Sequence, residues 1–330
     1  MTDTVAVLGA GSWGTALAIQ LARNDLQVRL WGHKREHIER LRALCENTDY
    51  LPGFRLADNI EPQASLPTAV EDAGYLLVAI PSKGFRDLLE QLKPLIDESP
   101  IVFWASKGFE IETGKLLHEV VEDELPRQRY GVVSGPTFAA EVAQNLPAAI
   151  TCAGNEPLAT EAFAELLRAE HFRAYTTDDV IGVELGGALK NVLAIAVGIA
   201  DGLGYGANTR AALITRGLAE IMRLGISLGA RQETLMGLAG LGDIILTCTD
   251  DQSRNRRFGL ALGKGKSVRQ AEIEVGQTVE GLRAAKAIHD KAQAMGLELP
   301  IIEQAYLVLY EGKPPKEAVS DLESRPQGRE

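Results

Sequence analysis

Five short stretches of this sequence hold residue types that could do chemistry. The first, Val5-Ala6-Val7-Leu8-Gly9-Ala10-Gly11-Ser12-Trp13-Gly14, runs an apolar strand into a glycine turn and a helix start. In that setting each glycine of the GxGxxG spacing has a task. Gly9 makes the tight turn, Gly11 lets a pyrophosphate reach the backbone, and Gly14 lets helix and strand pack closely. Amides at the helix start then favour phosphate, so the ligand class is a dinucleotide. At the end of the second strand, where an acidic residue would bind the ribose of NAD, the chain reads Gly32-His33-Lys34-Arg35. Positive charge there suits a 2′-phosphate: NADP(H) is the preferred cofactor and NAD(H) a usable one, against the plainer reading of a solvated helix start. The same stretch continues as His33-Lys34-Arg35-Glu36-His37, a formal match to a zinc-peptidase pattern. Its place directly after that strand gives it another task, and no metal is expected.

Three further groups suit a polar, anionic substrate. Lys190 sits among Gly186, Gly187, Leu193 and Ala194 at helical spacing, on a smooth face. Burial there would favour its neutral form and let it trade a proton with a substrate oxygen. A lysine snorkelling to solvent, or paired with Glu184, fits the same residues equally well. Lys107 follows a buried strand and could hold a substrate oxygen, or be an ordinary loop lysine. Ser253-Arg254-Asn255-Arg256-Arg257 offers directed donors of the kind a phosphate needs, or else is a basic helix start.

The elements that must position these groups fall into two kinds. In the first half, short Val-, Ile- and Leu-rich runs alternate with helical patterns: Val5 to Leu8, Val28 to Trp31, Tyr75 to Ile80, Ile101 to Ala105, Gly131 to Ser134 and Ala148 to Cys152. Runs apolar on both faces predict a covered parallel sheet, whose ligands sit at the carboxyl ends of its strands. From about Asp178 helical periodicity takes over, with Asp178 to Ala200 as the joining helix. The expected fold is therefore an α/β Rossmann-like N-terminal domain, residues 1–180, followed by an all-α C-terminal domain, residues 181–330.

Composition narrows the function classes. The chain has 330 residues and a net charge of −11, which repels nucleic acid and anionic membrane surfaces. A phosphorylated small molecule is acceptable only where basic residues gather locally. The N-terminus lacks a signal peptide's pattern, and the most apolar stretch, Leu185 to Gly204, carries Lys190 and Asp201. Three widely spaced cysteines, Cys45, Cys152 and Cys248, fit a reducing compartment, and the protein is expected in the cytoplasm, without membrane insertion.

In order along the chain, Gly9-Ala10-Gly11-Ser12-Trp13-Gly14-Thr15-Ala16, Tyr50-Leu51-Pro52-Gly53, Ser106-Lys107-Gly108-Phe109-Glu110, Ser134-Gly135-Pro136-Thr137-Phe138-Ala139, Glu184 through Asn191, Gly240-Leu241-Gly242-Asp243 and Gly276-Gln277-Thr278-Val279-Glu280-Gly281 form a specific series. By these segments the sequence resembles the bacterial NAD(P)-dependent glycerol-3-phosphate dehydrogenase family over nearly its whole length. The resemblance implies reduction of dihydroxyacetone phosphate to sn-glycerol 3-phosphate for phospholipid synthesis, with Lys190 as general acid and base. It places Lys107, Gly135, Thr137, Lys190, Asp243, Ser253, Arg254 and Asn255 on the substrate. It places Ser12, Trp13, His33, Lys34, Lys107, Ala139, Arg254, Thr278 and Glu280 on the cofactor, beside Gly9, Gly11 and Gly14. A homodimer is compatible with it. The rivals are another two-domain hydroxy-acid or keto-acid reductase and a non-catalytic NADPH-binding sensor.

Overall fold

The computed structural model describes residues 4–326. The described residues divide into two compact units, one made of residues 4–110 with Lys115–Glu184, the other of Ile111–Gly114 with residues 185–326.

The first unit is built on strands. β1 (Thr4–Leu8) and β2 (Gln27–Trp31) are followed by a small antiparallel ribbon, β3 (Glu46–Asn47) with β4 (Leu51–Arg55). Then come β5 (Ile60–Gln63), β6 (Tyr75–Val78), β7 (Ile101–Trp104), β8 (Tyr130–Ser134), β9 (Ala148–Gly154) and β10 (Phe172–Thr177). Eight of them make one sheet in the order β10-β9-β8-β7-β6-β1-β2-β5. β1 pairs in parallel with both β2 and β6, so the strand order reverses there and a crevice opens at the carboxyl ends. The sheet is covered on both faces: Val7, Leu77 and Phe103 on one and Ala6, Leu8, Leu76 and Val78 on the other are fully buried, and Phe103 stacks on Phe163 from the helix Pro157–Leu167 at 3.9 Å.

Two expectations need correction. The sheet is not wholly parallel, because β9 runs antiparallel to β8, pairing Gly131 with Gly154 and Ser134 with Thr151. The link between them holds only the short helix Ala139–Ala143, which packs on the helix Ser12–Arg23, where Arg23 Nη1 donates to Val142 O at 2.7 Å. Five helical residues rise only about 7.5 Å, less than half of the roughly 17 Å of a five-residue strand that a parallel return must run back along. Two edge strands, β5 and β10, also escape the apolar pattern. An edge has one strand neighbour and a more solvated flank, so Pro62 in β5 and the exposed Arg173 and Tyr175 in β10 are tolerated.

The second unit is helical. Its axis is the helix Val180–Gly202, apolar nearly all round, with Leu185, Ala188, Leu189, Val192, Ala194 and Ile195 fully buried. It is long and apolar enough to cross a membrane, yet 83% of its most apolar window lies inside the protein, as in a core helix. The helix Arg254–Gly263 crosses it at backbone contact. A Cβ added to Gly259 would stand 2.1 Å from Ile195 O, and one on Gly198 would stand 2.2 Å from Arg256 O. No larger residue permits that approach, which fixes the register of the two helices. The helices Ala207–Ser227, Asp243–Thr249, Glu280–Ala294 and Pro300–Tyr310 complete the packing.

Candidate active site

In the first unit the glycine turn forms a cradle at the reversal of strand order. Gly9 has φ +134°, and a Cβ there would lie 2.3 Å from Ala79 O, just past β6. A Cβ on Gly14 would lie 1.9 Å from Gly9 O, so strand, turn and helix meet at backbone distance. Around Gly11 nothing comes within 4 Å of the same position, leaving that side of the turn open. The helix Ser12–Arg23 begins without a side-chain cap, and its first amides remain available to an anion. A dinucleotide pyrophosphate fits this cradle.

A polar chain ties the turn to the basic segment after β2. Asn47 Nδ2 donates to Ala10 O at 3.0 Å and to Thr15 Oγ1 at 2.7 Å, while its Oδ1 lies 3.0 Å from His37 Nε2. His37 is buried edge-on against Tyr50, whose carbonyl accepts from Ser12 Oγ at 2.6 Å. His33 and Lys34 stand exposed at the carboxyl end of β2, and Arg35 pairs with Glu39 at 2.7 Å. Trp13 is half-buried. Sequence reasoning missed Asn47, a neutral residue in a two-residue polar strand.

Farther along the same sheet edge, Lys107 lies half-buried after β7, Gly135 follows β8, and Thr137 and Ala139 lead into the short helix, with Thr137 Oγ1 donating to Gly135 O at 3.2 Å. The buried hydroxyls of Ser106 and Ser134, at the ends of β7 and β8, have no hydrogen-bond partner. Glu184 does not pair with Lys190. Its carboxylate receives the His118 backbone N–H at 3.0 Å and lies 2.5 Å from His118 Nδ1. Burial pushes the Glu184 carboxyl up, with His118 partly opposing; burial works against the His118 cation, but the Glu184 carboxylate outweighs it and raises His118.

In the second unit Lys190 Nζ meets Asp243 Oδ1 at 2.5 Å, with 10% and 0% of their side chains exposed. An opposite charge offsets the desolvation of both ions and gives the ammonium one direction. Asp243 follows a π-helical turn, Leu238–Gly242, and Thr247 Oγ1 approaches the same carboxylate oxygen at 3.5 Å. Next along the long helix, Asn191 accepts from Asn255 Nδ2 at 2.9 Å and reaches Glu280 Oε2 at 3.4 Å. Asn255 Oδ1 in turn accepts from Gly281 N at 2.9 Å. Lys190, Asp243, Asn255 and Glu280 are thus brought together around one helix, with Asn191 as a member that sequence reasoning passed over. Ser253 caps the helix Arg254–Gly263, Arg254 is half-buried with Nη1 3.4 Å from Gln277 Oε1, and Thr278 is exposed in the adjoining loop. The first turn of that helix holds only basic charge, an arrangement that a bound anion would relieve.

Two profiles of one enzyme family cover the chain: NAD-dependent glycerol-3-phosphate dehydrogenase N-terminus over residues 4–159 and C-terminus over residues 179–320. The chain belongs to the NAD-dependent glycerol-3-phosphate dehydrogenase family. Among curated relatives, glycerol-3-phosphate dehydrogenase (NAD(P)+) of Shewanella halifaxensis is 52% identical over 100% of this chain and 98% of its own. The protein of the same name from Thioalkalivibrio sulfidiphilus is 53% identical over 98% of this chain and 97% of its own. Among solved structures, glycerol-3-phosphate dehydrogenase of Coxiella burnetii superposes with a TM-score of 0.95 at 46% identity, covering 98% of this chain and 99% of that one. Membership of this family agrees with the open glycine turn and with the Rossmann-like and helical units described above.

Proposed function

We propose that the chain catalyses the reversible reduction of dihydroxyacetone phosphate to sn-glycerol 3-phosphate, a phospholipid precursor, with NADPH preferred and NADH accepted. The observation that carries this reading is the buried Lys190–Asp243 pair at 2.5 Å. When bound, the dinucleotide supplies a hydride for C2 of the ketone. Lys190 donates a proton from Nζ to the oxygen that gains charge at C2 and takes it back in the oxidising direction. Asp243 holds the ammonium in the direction of that oxygen. Lys107, with Gly135 and Thr137, polarises and places the carbonyl. Ser253, Arg254 and Asn255 receive the phosphate, the arginine through paired N–H groups. The glycine turn with Ser12 and Trp13 holds the cofactor, joined by Ala139, Thr278 and Glu280, while Lys107 and Arg254 serve both ligands.

The exposed Lys34 cation, with His33 beside it, supports NADPH as the better cofactor. The unpaired cysteines support a cytoplasmic enzyme, two of them, Cys152 and Cys248, being unreactive thiols pushed up to about 12 by burial. The test is oxidation of NADPH and of NADH, in parallel, with dihydroxyacetone phosphate, ketopantoate and 6-phosphogluconate. Turnover with the first alone is expected. Faster turnover of either other substrate replaces this reading with a keto-acid or hydroxy-acid reductase. NADPH bound but oxidised by none of them makes the chain a sensor.

A further inference from the structure

Arg256 stands in the middle of the basic stretch, yet its side chain is buried against other parts of the protein. It is 7% exposed and occupies the first turn of the helix Arg254–Gly263, where a cation opposes the helix dipole. Its guanidinium is engaged on three sides. Nη2 donates to Asp201 Oδ2 at 2.7 Å, Nε donates to Cys248 O at 3.1 Å, and Nη1 meets Asp251. Asp201 lies in the last turn of the long helix that carries Lys190, and Cys248 O in the last turn of the helix Asp243–Thr249. Two helix carboxyl ends, both negative in partial charge, therefore converge on one planar cation. Asp201 is itself held by Arg210, at 3.0 Å through Nη2.

The backbone of Arg256 acts on the same turn. Its N–H donates to Ser253 Oγ at 3.2 Å, which leaves the Ser253 hydroxyl hydrogen to turn toward another acceptor. One residue thus ties the helix bearing Lys190, the helix bearing Asp243 and the turn bearing Ser253, Arg254 and Asn255. We propose that Arg256 is a positioning residue, one that holds the Ser253–Asn255 turn in the geometry that receives the substrate's phosphate without touching the phosphate itself. A lysine in its place keeps the charge but offers a point in place of a fork, so it can satisfy one of the three partners well but not all of them.

The proposal rests on the reading of the site as a phosphate-ketone reductase, and its test separates the two. For Arg256→Lys, KM for dihydroxyacetone phosphate should rise about 10-fold or more, with kcat and KM for NADPH changing less than about 3-fold. The inhibition constant of inorganic phosphate, competing with the substrate, should rise in the same proportion. Asp251→Ala, at a side chain 74% exposed, removes one arm without opening the core and should raise the same KM about 2- to 5-fold. That variant decides the matter if the lysine variant does not fold. An unchanged KM in an active protein overturns the role of Arg256 alone, as does a fall in kcat that matches the change in KM. Wild-type protein that neither turns over dihydroxyacetone phosphate nor binds inorganic phosphate overturns the site reading and this proposal together.

Discussion

The glycine turn and the lysine cluster are built by opposite means. The turn, residues 9–14, works with main-chain amides and with space, since Gly9 and Gly14 permit backbone approaches no side chain allows and Gly11 leaves one side open. The cluster works with side chains drawn from positions 190, 191, 243, 255 and 280, each held by another. A site made of backbone must be contiguous, because neighbouring amides align only within one turn. A site made of side chains need not be, and its members meet through helix packing instead.

Each site can be broken separately. The largest effect is expected for Lys190→Ala, which should lower kcat by about 10³-fold while NADPH affinity measured by fluorescence stays nearly constant. Loss of cofactor binding in that variant would erase the distinction between the sites. Gly14→Ala should do the reverse, because its Cβ would lie 1.9 Å from Gly9 O: NADPH affinity falls roughly 100-fold, and a thermal melt shows the fold retained. Next comes the double variant Lys34→Glu with Arg35→Glu, expected to shift the NADPH to NADH ratio of kcat/KM by about 10-fold. An unchanged ratio would remove the basic segment from cofactor choice.

A separate effect concerns stability in the helical unit. Glu220 is buried and accepts from the amides of Ile301 and Ile302 at 2.7 and 3.1 Å. Burial pushes its carboxyl up to about 7, with those two amides and the charges of Arg223 and Arg325 pulling the other way. The folded protein therefore binds this proton more tightly than the unfolded chain does. Its contribution is fully present below the ordinary glutamate range and is lost as pH rises through about 7. Glu220→Gln should flatten the melting temperature between pH 5 and 8, removing a slope worth on the order of 2 kcal/mol. A slope unchanged by the substitution would assign it to another group.

This contrast also explains what the sequence could reveal. The central strands β1, β6, β7 and β8 were legible because burial on both faces favours nearly unbroken apolar runs, and β2 because Val28, Leu30 and Trp31 flank Arg29. The edge strands β5 and β10, carrying Pro62 and Arg173, obey no such demand, and the antiparallel turn into β9 depends on a link whose short helix has no strong periodic signature. Physical reading of the residues left Lys190 evenly poised between a proton donor and a snorkelling lysine. The partner that decides its environment, Asp243, lies 53 positions away, and only packing brings it to 2.5 Å. Asn47 gave no signal, and Asn191 none beyond its place in the segment Glu184 through Asn191, because a neutral amide announces neither charge nor backbone strain. Both become visible only through their partners.

The long helix has one more consequence, which concerns synthesis. Its 23 residues leave the ribosome before the segment that becomes the helix Arg254–Gly263 exists, and before the segment Glu280–Ala294 that brings Gly281 against Asn191. Until then an apolar cylinder of membrane-spanning length stands uncovered in the nascent chain, with Lys190 still lacking Asp243. The core helix that holds Lys190 is thus also an aggregation-prone stretch of the growing polypeptide, and the interval before its cover arrives is when a chaperone would find a target.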